Sequence, residues 1–308
     1  MAPRPSDVLK PQDVRKTYRY LRIGMIGAVV LLAVSITIER SKVPCFQTSI
    51  SAYYYTPVRA VFVGCMIAVG LSLIVYKGRT AWEDAALNIA GMLAPVVAVA
   101  PTTDVGRCWS IVPEPLPVRP DGSLANWVVT NIDNNFYALL IAGFIGLGIA
   151  LLTAIAVDPK APIDPGARGT WVSLGVAFLV LLSGWWLIRN WDDFNTRAHG
   201  WAAVLMFASL VVAIIVQAIV HRRERDTPYY RIYATVAALM VLGGILIPWT
   251  RVFGDHTVFA LEAYEIGFFA VYWIVQTREN WDEEVADTEL VRGAVPRSGR
   301  PPGHRLPG

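Results

Sequence analysis

The sequence predicts an all-α, polytopic transmembrane helical bundle of eight spans with both termini cytoplasmic, and three observations carry that expectation. Hydrophobic residues make up 55% of the 308 and charged ones only 17%, more apolar surface than one soluble core can hide. Eight apolar stretches are each long enough to cross a hydrocarbon layer of about 30 Å as a helix. A cytoplasmic N-terminus then places 19 of the 27 lysines and arginines inside, as the positive-inside rule requires, and an odd number of spans breaks that alternation.

The spans fall at 20–39, 57–76, 84–101, 136–157, 170–189, 199–220, 231–250 and 257–276. Helix is forced, because lipid offers backbone amides no partner and the runs are too long and too unalternating for barrel strands. The first span follows Arg15, Lys16 and Arg19 and carries Arg22 in its first turn. The second opens at Thr56-Pro57, a helix-capping residue followed by a proline that has no amide hydrogen to leave unsatisfied. The third begins with Glu83 and Asp84, which suit the positive end of a helix dipole, and is interrupted by Pro95 and Pro101. Asn134 and Asn135 open the fourth. The fifth lies between Arg168 and Arg189, and the sixth runs from His199 to a basic loop, HRRERDTPYYRIY, which is expected to face anionic lipid headgroups. The seventh ends IPWTRVFGD and the eighth reads HTVFALEAYEIGFFAVYWIVQT. Residues 1–19 form a cytoplasmic tail, and 277–308, rich in proline, glycine and arginine towards its end, reads as a disordered one. APTTD at 100–104 against IPWTRVFGD at 247–255, with similar apolar runs following each, suggests a four-plus-four parallel repeat.

On this topology Cys45 and Cys108 lie in the first and second outer loops, where an oxidising exterior permits a disulfide, while Cys65 sits within the second span as a small packing residue. The stretch TSISAYYYTPVRAVFVG places Tyr53, Tyr54 and Tyr55 at headgroup depth, as part of an aromatic belt. Arg59, one turn into the second span, must snorkel outward or meet an acid. Glu262 and Glu265, three residues apart on one helical face, are the acids on offer. With Tyr54, Arg251, His199 and His256 they form the candidate binding site, an outer-facing polar pocket; paired glutamates joining helices are the structural alternative.

No Walker loop, dinucleotide fingerprint or nucleophile-elbow pattern occurs, so neither cofactor nor catalytic residue is expected. His199 and His256 could ligate zinc in a membrane-embedded hydrolase, but no HExxH or comparable spacing supports a metal. The favoured reading is a non-catalytic protein of the cell membrane that binds or passes a lipid or small solute. A third is a regulatory protein recruiting partners through the basic loop and tail. Membrane lipids are expected partners and nucleic acid is not.

Ile50 and Ser51, then Phe62 and Gly64, a small-residue third span ending Pro101-Thr102, and His199 opening a later span together resemble the DRAM-like family of polytopic membrane proteins and its bacterial relatives. The resemblance covers about half the chain. It implies an integral membrane protein without established catalytic residues, and it departs from this sequence in span number, six against eight.

Overall fold

The computed structural model describes residues 11–106, 108–119, 121, 123–157, 168–224 and 227–293. They form eight long helices: α1 (Pro11–Lys42), α2 (Arg59–Val75), α3 (Ala81–Val99), α4 (Asn126–Val157), α5 (Arg168–Asn190), α6 (Phe194–Arg223), α7 (Thr227–Thr250) and α8 (Thr257–Gly293). Short 3-10 turns at Ser51–Tyr55 and Gly254–His256 precede α2 and α8. No strand occurs among the described residues. Seven of the helices are long and apolar enough to cross a membrane, and α2, with 17 residues, is a shorter apolar helix. The chain is thus a multi-pass membrane protein of the helical-bundle class.

Each apolar run becomes a helix at or near its expected place, and most ends move outward, although α2 is shorter than its expected span and α3 ends two residues early. α4 starts ten residues before 136, so Asn134 and Asn135 lie inside it. α8 continues through Gly293, because TRENWDEEVADTEL is rich in helix formers and can extend beyond the apolar layer; the first part of the expected tail is therefore helical. Residues 1–10 and 294–308, with most of that tail's proline and glycine, lie outside the described residues. α1 is already helical from Pro11.

Six helices close a ring in which α1 packs on α2, α2 on α3, α3 on α6, α6 on α7, α7 on α8, and α8 back on α1. The α4–α5 hairpin lies outside it, against α3. This packing does not follow a four-plus-four pattern, since α1 lies beside α2 whereas α5 lies chiefly beside α3 and α4. α3 can occupy the crowded centre because its contact surface is Ala85, Ala86, Ala90, Gly91, Ala94 and Ala98, side chains that let backbones approach. A Cβ added to Gly91 would stand 2.6 Å from the Gly70 carbonyl oxygen of α2, and one added to Gly70 would stand 2.7 Å from the Gly91 oxygen. Pro95, four residues beyond Gly91, has no amide hydrogen to donate to that oxygen, which leaves it facing α2.

α6 turns one face inward, with Ala202, Met206, Leu210, Ala213, Ile214, Gln217 and His221 buried at helical spacing. α4 shows the opposite: Ile141, Ile145, Ile149 and Leu152 are all more than half exposed and lie in one stripe, a surface that suits acyl chains rather than water. Trp186, Trp201 and Trp249 are likewise exposed.

Candidate functional site

The end of the bundle that carries the cysteines is closed by a folded cover. Cys45 and Cys108 are joined as a disulfide, with Cα atoms 5.9 Å apart. Beside the bridge, the fully buried Gln47 donates to the Cys108 carbonyl at 2.6 Å and accepts from the Cys108 amide at 3.3 Å. Gly106, with φ of 66°, makes this possible: any Cβ there would lie 1.8 Å from the Gln47 Oε1, and the backbone is in the left-handed region. Glu39, buried near the end of α1, accepts from the Ser110 amide and hydroxyl. Tyr55 donates its hydroxyl to the Thr102 carbonyl at 2.8 Å, and burial pushes that phenol well above its ordinary range, so it stays a neutral donor.

The three consecutive tyrosines therefore differ from the belt expected of them. Tyr53, Tyr54 and Tyr55 lie in the buried 3-10 turn and belong to the main core. Their run of polar-tipped rings serves the interior because the loop folds back over the helix ends, which a linear reading of span and loop cannot foresee. Thr56 accepts the Val58 amide at 3.2 Å, and α2 starts two residues later than Pro57.

The candidate residues do not assemble into one pocket. Arg59 donates to the Tyr54 hydroxyl at 2.6 Å and sets its guanidinium 4.3 Å from the Tyr54 ring centroid, so it meets an aromatic partner instead of an acid. Glu262 accepts from the Ile50 amide at 2.5 Å, the Ser51 amide at 3.2 Å and the Ser51 hydroxyl at 2.6 Å, which makes it the acceptor for the start of the 3-10 turn. His256 contacts the Gln47 carbonyl at 3.1 Å, and the Phe259 amide donates to the Thr48 carbonyl, so the start of α8 holds segment 47–51 at three places. Arg251 is exposed, with φ of 47°, at the turn that ends α7. His199 is buried 2.7 Å from the Ala100 carbonyl and 3.1 Å from that of Val97, capping the end of α3. The two histidines thus serve different backbone carbonyls. Among the described residues no group of three His, Cys, Asp or Glu side chains could hold a metal ion, and the hydrolase reading gains no ligand set.

Replacing Glu262 with alanine is expected to destabilise the fold by about 2–3 kcal/mol, because two amides and a hydroxyl lose their shared acceptor. Denaturant unfolding in detergent checks this, and a loss no larger than that of Ser51→Ala would refute the capping role.

Glu265 is different. It is 5% exposed, its Oε2 has no hydrogen-bond partner, and its Oε1 lies near Gly244 of α7. The Gly243-Gly244 pair admits α8 closely here: a Cβ on Gly243 would lie 2.1 Å from the Tyr264 ring. Inward of Glu265 comes a small apolar void of about 50 Å³, lined by residues of α1, α2, α6 and α8 that include Cys65, Met206, Leu210, Ile266 and Phe269.

Beyond that void lies a polar cluster that the span-by-span reading missed. Glu279 of α8, 3% exposed, accepts from the Tyr233 hydroxyl of α7, lies 2.9 Å from His221 Nε2 of α6, and pairs with Arg79 at 3.2 Å. Arg79 also reaches Glu224 at 3.1 Å. Its backbone amide donates at 2.8 Å to Glu83, which is fully buried at the start of α3 and has no partner on Oε1. Tyr233 stacks against the His221 ring, and Tyr229 meets the same ring at a tilt of 36°. One turn outward, Gln217 of α6 and Gln276 of α8 are fully buried, beside Tyr272 and Trp273 in the sequence of α8. Gln276 donates to the Tyr272 hydroxyl at 3.0 Å, while its Oε1 and both polar atoms of Gln217 have no partner.

The signal for this cluster was the spacing on α8. Glu262, Glu265, Tyr272, Gln276 and Glu279 recur at three-, four- and seven-residue steps, a single face that runs for about 26 Å at 1.5 Å per residue. Ending the span at 276 cut Glu279 from its own stripe. Comparison with family models, with curated proteins and with solved structures yields no match.

Proposed function

We propose that this chain is a multi-pass protein of the cell membrane, with eight spans and both termini cytoplasmic, that passes a proton or a small polar solute along the inward face of α8 and performs no covalent chemistry. The observation that carries this reading is Glu265: a buried carboxyl with an unpartnered oxygen, in line on α8 with the Gln276 and Glu279 cluster and separated from it by a small apolar void. An acid at that depth is costly to hold as a bare charge, so a proton or a cation is the natural occupant. The apolar residues between the two polar levels suit a constriction that conducts only when wetted or rearranged. The resemblance to DRAM-like proteins points towards a non-catalytic membrane protein as well.

The test is proton flux in liposomes carrying a trapped pH-sensitive dye, driven by a potassium gradient with valinomycin. The wild-type protein is expected to move protons faster than empty vesicles, and Glu265→Gln to fall to the empty-vesicle rate while keeping its disulfide and elution profile. Equal rates for variant and wild type, or no flux above empty vesicles, would overturn the proton reading.

A further inference from the structure

The inner ends of α1 and α8 enclose a groove of about 390 Å³, lined by Ile26 of α1 and by Ile274, Thr277, Arg278 and Trp281 of α8. The four α8 residues recur at three- and four-residue steps and so lie on one face over about two turns. Their chemistry changes with depth. Ile274, half exposed, and Ile26 line the end nearer the membrane centre, whereas Arg278 and Trp281 line the end nearer the basic surface. α1 runs the other way and repeats the same order: Arg19, seven residues before Ile26, sets its guanidinium 3.7 Å from the Trp281 ring centroid. Among the described residues none of the lining is acidic, and Arg278 is exposed with no ion pair.

We infer that this groove binds one anionic phospholipid of the surrounding leaflet. The order of the lining matches the order of the lipid: acyl chain against Ile26 and Ile274, then phosphate and acidic headgroup at Arg278, with Trp281 about one turn further towards the basic surface, at interfacial depth where indole rings settle. A soluble phosphate lacks the part that fills the apolar end. A zwitterionic lipid fills that end but brings a cation towards Arg278. The site stands on the membrane placement of α1 and α8 and is independent of whether anything is transported.

The test uses the full-length protein in phosphatidylcholine-containing micelles, with dioleoyl phosphatidylglycerol or glycerol phosphate added. Native mass spectrometry counts the lipid retained and thermal unfolding reads its effect. One phosphatidylglycerol is expected to be retained in preference to phosphatidylcholine and to raise the unfolding temperature, while glycerol phosphate does neither. Arg278→Ala is expected to reduce the preference about fivefold, the size expected of one basic side chain at an anionic surface. Ile274→Trp, which fills the apolar end, should weaken retention with the charge intact. Arg222→Ala is the control, since that guanidinium lies over Tyr230 at the end of α6 and not in the groove. Retention unchanged in both groove variants, an equal loss in the Arg222 variant, or equal stabilisation by glycerol phosphate would each overturn the assignment.

Discussion

Glu279→Ala is expected to destabilise the folded protein by about 3–5 kcal/mol, the cost of removing one partner from a buried ionic group and stranding the others. Its carboxylate is the acceptor shared by Arg79, His221 and Tyr233, from three other parts of the ring. His221 is 1% exposed, so water does not take the place of Glu279, and its other acid, Glu224, stands further off at 4.0 Å. Arg79 is one-third exposed and keeps Glu224, so part of its loss is made good. Glu279→Gln should fall between, since an amide oxygen still accepts from Tyr233. Denaturant unfolding in detergent gives the ranking. If Glu279→Ala costs no more than Glu224→Ala, whose carboxylate is half exposed, the cluster does not hold the basic end of the ring together.

Loss of the Cys45–Cys108 bridge is the second large effect expected. The cysteines are 63 residues apart, and closing a loop of that length in the unfolded chain corresponds to about 4 kcal/mol in the chain-entropy account. Helices that persist in the detergent-unfolded state shorten the effective loop, so about 4 kcal/mol is the upper bound. Cys45→Ser and Cys108→Ser should destabilise equally, and the double variant should be no worse than either. A double variant that loses the sum of both would show that each cysteine acts through its own contacts rather than through the bond.

Composition and span length carried most of the fold, because lipid leaves the backbone little choice: an apolar run of adequate length must be helical. The same argument is blind to which helices touch. Nothing in the hydropathy of 136–157 distinguishes a ring member from a helix outside the ring, and α4 proved to be outside it. The disulfide was legible because alternation placed both cysteines on the same side. The site was legible only in part. The spacing singled out Glu262 and Glu265, but the partners of Arg59 and Glu262 come from a loop that folds back as a buried 3-10 turn. That fold-back depends on Gln47, Gly106 and Tyr55, none of which carries a motif. His221 was read as part of a basic loop, because charge runs at span ends are usually solvated; here the ring draws it and Arg79 inward to one carboxylate.

The cover over the cysteine end has a mechanical consequence. There α1, the approach to α2, the loop after α3 and the start of α8 are stitched by one covalent bond and by contacts to rigid backbone. The opposite tips of α3, α6, α7 and α8 meet through side chains, one of them an arginine already touching water. The ring is therefore tied by a covalent bond at one pole and by a shared carboxylate at the other, so reduction releases only the first of its two fastenings.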